Sequence, residues 1–246
     1  MTRFIFRQLF EPVSCTYSYL LGCASSKKAV IIDPVLETVN RDSRLIDELG
    51  LELIYGLNTH IHADHVTGTG ELKKRFPNMK SVISERAGHV HVDLVVKNMD
   101  RISFGNGVLE ARSTPGHTNG CVTYVDHQNR MAFTGDALLI HGCGRTDLQH
   151  GDARTLYESV HDQIFSLPDD YLVYPAHDYS GKFVTSVGEE KLHNPRLTLK
   201  EDQFVELMNN LNLTHPHQFE KSLAANEVCG IFELMDENTK KLVFGK

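Results

Sequence analysis

The segment Asn58-Thr-His-Ile-His-Ala-Asp-His65 puts four ligand-type side chains, His60, His62, Asp64 and His65, within six positions. It follows the apolar stretch Leu51 to Leu57, which reads as a buried strand. A single His-x-His pair arises often by chance, but four such residues serve no packing purpose at the end of an apolar strand. Alternate side chains of an extended segment share a face, so His60, His62 and Asp64 converge, and the turn after them swings His65 in. Three further candidates sit singly beside Gly or Pro, each after an apolar or small-residue strand: His117 in Thr114-Pro-Gly-His-Thr118, Asp136 in Thr134-Gly-Asp136 and His177 in Tyr174-Pro-Ala-His-Asp178. Neutral imidazole and carboxylate suit Zn, Mn and Fe without any thiolate. The other histidines, His89, His91, His127, His141, His150, His161, His193, His215 and His217, read as surface or structural residues, although His141 and His150 flank a loop expected near the site.

The 246 residues suffice to bury a core without disulfide or metal staples, and their net charge of −7 argues against nucleic acid as a partner. Five scattered cysteines, Cys15, Cys23, Cys121, Cys143 and Cys229, read as those of a reduced intracellular protein. No apolar run is long enough to span a membrane. Arg3 and Arg7 interrupt the N-terminus where a signal peptide would keep an apolar core, and no targeting peptide is visible.

No repeat or linker divides the chain, which reads as one compact domain with a C-terminal helical extension from about residue 185. Ala29 to Asp33 reads as a strand buried on both faces. A helix capped by Asp42, with Leu45, Ile46 and Leu49 on one face, is expected to end at Gly50. Ile102 to Thr114 is predicted to form a hairpin around Gly105-Asn106-Gly107, where Asn-Gly tolerates the positive φ of a tight turn. Cys121–Val125 and Met131–Gly135 read as a second hairpin, turned at Asp126 to Asn129. A helix is expected from about Ala153 to Phe165 and a last core strand over Tyr171 to Tyr174. Thr198-Leu-Lys-Glu201 is predicted to cap a helix carrying Phe204, Leu207, Met208 and Leu211. Hairpins with helices at intervals indicate an α/β or α+β sandwich.

The H-x-H-x-D-H segment with the later His, Asp and His resembles the metallo-β-lactamase superfamily, whose fold is an α/β, αββα sandwich with metal at the sheet edges. Phe10-Glu-Pro-Val-Ser-Cys-Thr16, Asp33-Pro-Val-Leu-Glu-Thr38, Cys143-Gly-Arg-Thr-Asp147, Tyr174-Pro-Ala-His-Asp-Tyr179 and Asn194-Pro-Arg-Leu-Thr198 resemble the persulfide dioxygenase family within it. The resemblance runs to about Cys229, and Gly230 to Lys246 departs from it.

That resemblance implies an iron-dependent oxidation of glutathione persulfide by O₂ and water to sulfite and glutathione. It implies one Fe²⁺ per chain, held by His60, His117 and Asp136, with His62, Asp64, His65 and His177 as orienting or proton-moving neighbours and no catalytic residue beyond the metal centre. Arg145, Tyr179 and Arg196 match family positions near the substrate, whose carboxylates suit the fork of an arginine. Asp33 is expected either to help orient ligands or to cap its turn. Cys121 and Cys143 read as small buried hydrophobes and not as catalytic thiols. Two metals on the same seven ligands, as in a glyoxalase II-like thioester hydrolase, are the alternative. By resemblance the compartment is the mitochondrial matrix in a eukaryote and the cytoplasm in a bacterium, and a homodimer is an option.

Overall fold

The computed structural model describes residues 4–88, 90–216 and 218–245. Its first sheet runs in sequence order through β1 (Phe4–Glu11), β2 (Thr16–Cys23), β3 (Lys28–Ile32), β4 (Glu52–Leu57), β5 (Lys80–Ser84) and β6 (Leu94–Val96). The second holds β7 (Arg101–Phe104), β8 (Gly107–Ser113), β9 (Val122–Asp126), β10 (Met131–Gly135), β11 (Leu172–Pro175) and β12 (Thr185–Ser186), ordered β12-β11-β10-β9-β8-β7. Strands β3 to β6 are parallel neighbours, whereas β7 to β10 form an antiparallel meander to which β11 adds in parallel.

The two-residue period of a strand sorts its side chains into layers. Val30 and Ile32 of β3 face the other sheet, where they join Tyr17, Tyr19, Leu57, Phe104, Tyr124 and Phe133. Ala29 and Ile31 face outward, onto Ile46 of α1 (Val39–Glu48) and Leu72 of α2 (Thr69–Arg75). On the second sheet Phe133 points inward, while Ala132 meets Leu156 of α3 (Ala153–Ser159) and the Val160–Ile164 π-helical turn that continues it. Helix α4 (Val187–His193) and Phe204 and Met208 of α5 (Glu201–Asn209) complete that outer layer. Four layers, αββα, result. The last two helices, α6 (Phe219–Glu227) and α7 (Glu237–Phe244), lie instead beside Val66, where Ala225 and Met235 are buried.

Local details depart from the sequence expectations in three places. Helix α1 starts at Val39, so Asp42 is not its cap; it lies buried in the first turn and accepts from Arg41 Nε at 2.7 Å and Thr38 Oγ1 at 3.1 Å. In the first hairpin Phe104 pairs with Gly107, and the residue with positive φ is Gly105 at 68°, as in turns that need glycine at the first central position. The Thr198 hydroxyl donates to Asn194 O at 2.6 Å instead of capping, and α5 starts after Lys200, whose N–H donates to the Gln203 side chain. The second hairpin turns as expected, with Asp126 Oδ1 accepting from the N–H groups of Gln128 and Asn129. Gly50, at φ 60°, follows the end of α1.

Candidate metal centre

All seven ligand candidates emerge at one end of the sandwich. His60 to His65 follow β4, His117 lies in the β8–β9 connection, and Asp136 and His177 come immediately after β10 and β11. Because β3, β4, β8, β10 and β11 leave their sheets at that end, loops far apart in sequence deliver side chains to one cleft. Asp33, just after β3, adds a carboxylate from beneath in a left-handed conformation, φ 49°, that Asp tolerates better than most residues.

The donors fall into two groups whose ligand atoms lie within 4.8 Å of one another: His60, His117 and Asp136 in the first, and His62, Asp64, His65 and His177 in the second. Asp136 stands between them, its Oδ2 3.5 Å from His117 Nε2 and its Oδ1 3.7 Å from His177 Nε2. The five histidines are buried.

Each imidazole in the cleft carries an outward hydrogen bond that fixes which nitrogen keeps its lone pair. His117 Nδ1 donates to the Arg145 carbonyl at 2.7 Å, leaving Nε2 toward Asp136. The Thr59 hydroxyl donates to Asp33 Oδ2 at 2.8 Å, so it accepts from His60 Nδ1 at 3.0 Å and leaves His60 Nε2 bare. Asp33 likewise accepts from His62 Nε2 at 3.0 Å, and Asp64 accepts from His65 Nδ1 at 2.9 Å. The opposite atoms, His62 Nδ1 and His65 Nε2, are buried without a hydrogen-bond partner, as is Asp136 Oδ1. An unpartnered buried polar atom costs on the order of 1–3 kcal/mol. One, Asp136 Oδ1, belongs to the first group and two, His62 Nδ1 and His65 Nε2, to the second, and beside imidazoles whose other nitrogens are tied they are the kind of lone pair that a divalent cation satisfies.

Electrostatics agree with that fit. Burial, and then the neighbouring imidazoles, hold His60 and His62 well below the ordinary histidine value, which keeps them neutral as metal ligation requires. Burial opposes ionisation of Asp136 and Asp64, yet His177 and the other facing histidines hold both below the usual carboxylate range. His177 is raised despite its burial, by Asp64 and Asp136.

The cleft widens into a pocket of about 700 Å³ lined by His117, Asp136 and His177 and by Arg145, Tyr179 and Arg196. Arg145 has its fork on Asp147, at 2.6 Å from both Nε and Nη2, and donates to Thr214 O at 2.7 Å, so it fastens the 213–215 loop to the pocket wall. Arg196 donates to Cys143 O at 3.2 Å and, among the described residues, has no carboxylate at ion-pair distance. The Tyr179 ring lies parallel to His177 at the rim, 74% exposed. Cys143 also lines the pocket, but burial raises its thiol to about 11, and that of Cys121 to about 12.

His215, read from sequence as a surface or structural residue, instead lines this pocket. His141 pairs with Glu189 at 2.8 Å, and His127 with Glu110 and Tyr171. His89 and His217 fall outside the described residues. Two residues that sequence reasoning missed also hold the ligand loop: Gln149, whose amide donates to Ile61 O at 2.7 Å, and Asn226. Neither carries a motif signal, because both act on backbone atoms.

A two-sheet sandwich with a histidine and carboxylate centre at its strand ends defines a metal-dependent enzyme of the metallo-β-lactamase type. The family model described as "Metallo-beta-lactamase superfamily" matches residues 14–177. The chain is 57% identical over 227 residues to human "Persulfide dioxygenase ETHE1, mitochondrial", covering 92% of this chain and 89% of that protein. The crystal structure of ETHE1 from Myxococcus xanthus superimposes with a TM-score of 0.89 at 44% identity, covering 92% of this chain and 99% of that one. A more distant similarity, 33% over 194 residues, covers 71% of this chain and 89% of the Haemophilus influenzae hydroxyacylglutathione hydrolase GloC. The chain belongs to the persulfide dioxygenase family of the metallo-β-lactamase superfamily.

Proposed function

We propose that the protein oxidises glutathione persulfide with O₂ and water to sulfite and glutathione, using one Fe²⁺ held by His60, His117 and Asp136. The observation that carries this reading is the 57% identity to a persulfide dioxygenase, in a chain where two of the three donors, His117 and Asp136, line the pocket. His60, His117 and Asp136 would hold an Fe(II) through two imidazoles and one carboxylate, and the metal would supply the electrons for oxygen chemistry. The products balance: the persulfide's outer sulfur gains three oxygens, two from O₂ and one from water, and the glutathione thiol keeps a proton.

The chain's own residues do the rest. The Arg145 carbonyl and Thr59 hydroxyl fix the ring planes of His117 and His60. His177, raised by the two carboxylates it faces, is placed to hold a proton beside Asp136. Arg196, which among the described residues has no carboxylate at ion-pair distance, suits a glutathione carboxylate, and the exposed Tyr179 ring lines the same pocket. A thiol mechanism is disfavoured by the raised values of Cys121 and Cys143. Relatives whose names carry "mitochondrial" support a mitochondrial site for a eukaryotic source.

The second group, His62, Asp64, His65 and His177, favours one competing reading, a two-metal hydrolase of glutathione thioesters. Metal analysis after anaerobic purification, coupled to O₂ uptake, separates the two. One iron per chain with O₂ consumption dependent on glutathione persulfide is expected; two zinc-type ions with S-lactoylglutathione hydrolysis would overturn the proposal.

A further inference from the structure

The loop that carries His62 and His65 has no regular secondary structure, so its backbone groups must find partners elsewhere. A single side chain supplies three of them. Asn226 Nδ2 donates to His62 O at 2.8 Å and His65 O at 2.9 Å, while Asn226 Oδ1 accepts from Thr67 N at 2.8 Å. The amide orientation is unambiguous, since carbonyls only accept and a backbone N–H only donates. Asn226 is 4% exposed and lies in the last turn of α6, about 160 residues along the chain from the groups it holds.

The surrounding contacts make this a rigid brace. A Cβ on Gly70 would fall 2.3 Å from Gly230 O, and one on Gly230 would fall 2.5 Å from Thr67 O, so the chain just beyond α6 lies directly against the far end of the ligand loop. Gly230 has φ 69°, a conformation that glycine adopts without strain. Ala225 and Met235 pack on Val66 within that loop. The C-terminal segment thus packs directly against the metal-binding loop.

We propose that Asn226 is a positioning residue for the metal centre, setting through the backbone of His62, His65 and Thr67 the course of the loop that also delivers His60 to the metal group. The inference rests on the cleft binding a divalent cation, but not on that cation being iron or on the reaction. Partners that orient ligands typically contribute about 10–100-fold in metal affinity, and acting through the backbone places Asn226 near the lower end, on the order of 10-fold.

Co²⁺ alone, loaded into the full-length chain, provides the test, because its visible absorption reports ligand geometry without turnover. Asn226→Asp keeps the side chain's size and its acceptor for Thr67 N while removing both donated bonds. Met235→Ala is the control, removing packing from the same segment but no bond to the loop. Asn226→Asp is expected to release Co²⁺ to a chelator on the order of 10-fold faster, with an altered Co²⁺ spectrum, whereas Met235→Ala lowers the Tm with wild-type release and spectrum. Wild-type release and spectrum in Asn226→Asp would overturn the proposal. So would equal acceleration by Met235→Ala, which would make the effect one of general stability. Failure of Asn226→Asp to fold while Met235→Ala folds would make Asn226 a folding requirement and also overturn it. A wild-type chain that holds no Co²⁺ would remove the metal reading itself, a result distinguishable from the others.

Discussion

His117 and Arg145 are joined through a ring N–H and a main-chain carbonyl 2.7 Å apart, so the loop that lines the substrate pocket also aims a metal ligand. Arg145's side chain is meanwhile spent on Asp147 and Thr214. One residue therefore serves the metal with its backbone and the pocket wall with its guanidinium.

Assignment of the metal to His60, His117 and Asp136 predicts unequal losses on substitution. His117→Ala and Asp136→Ala should each abolish iron content and activity, because each removes a donor from a three-donor group. His62→Ala should retain measurable iron. Elemental analysis of the three variants checks this, and comparable iron loss in all of them would refute the mononuclear assignment.

Asp33 holds Thr59 and His62 directly, and His60 through the Thr59 hydroxyl. Asp33→Asn keeps the volume but turns one acceptor into a donor facing an N–H. Metal affinity should fall about 10–100-fold, as measured by chelator competition on the purified variant. Unchanged affinity would leave Asp33 with a turn-capping role only.

Arg196 and Arg145 should separate kinetically. Arg196→Ala should raise KM for glutathione persulfide about 10-fold with kcat little changed, since a charge-assisted hydrogen bond contributes roughly 1.5–3 kcal/mol. Arg145→Ala, whose side chain ties Asp147 to the 213–215 loop, should mainly lower the Tm. Steady-state O₂ consumption and thermal melts decide between them, and a wild-type KM in Arg196→Ala would remove it from substrate binding.

Acid should destabilise the metal-free protein. His60 and His62 are held well below the ordinary value near 6.5, so below that pH the unfolded chain binds protons that the folded chain refuses. His177, held above the ordinary value, works with the opposite sign only above about 6.5, and below that pH it is protonated in both states and adds nothing to the slope. With two protons taken up by the unfolded chain alone, stability should fall by up to roughly 2.7 kcal/mol per pH unit as the pH drops below about 6.5 toward the depressed values. Urea denaturation of the apoprotein at a series of pH values reads the slope, and His60→Gln should flatten it. A slope that steepens instead would contradict the burial argument.

The candidate ligands were legible because metal chemistry restricts residue type and spacing: no packing demand yields His60, His62, Asp64 and His65 at the end of a strand as apolar as Leu53–Leu57. Continuous apolar runs and the second hairpin's turn residues were legible for the same reason, since each reflects a local physical demand. Start positions of helices were read less well. Asp42 and Thr198 have the right chemistry for caps but found other partners, Arg41 and Thr38 for Asp42 and Asn194 O for Thr198.

What the sequence determined by itself is therefore the donor set and the alternating layers that make two sheets. The tertiary structure alone decided that Arg145 is tied down while Arg196, among the described residues, has no carboxylate at ion-pair distance, that His215 reaches the pocket, and that Asn226 braces the ligand loop. These depend on contacts between segments tens to more than a hundred residues apart, many of them with backbone atoms. Every residue type offers the same carbonyl and nearly all the same N–H, so a side chain that recognises them leaves no mark in the sequence of its target.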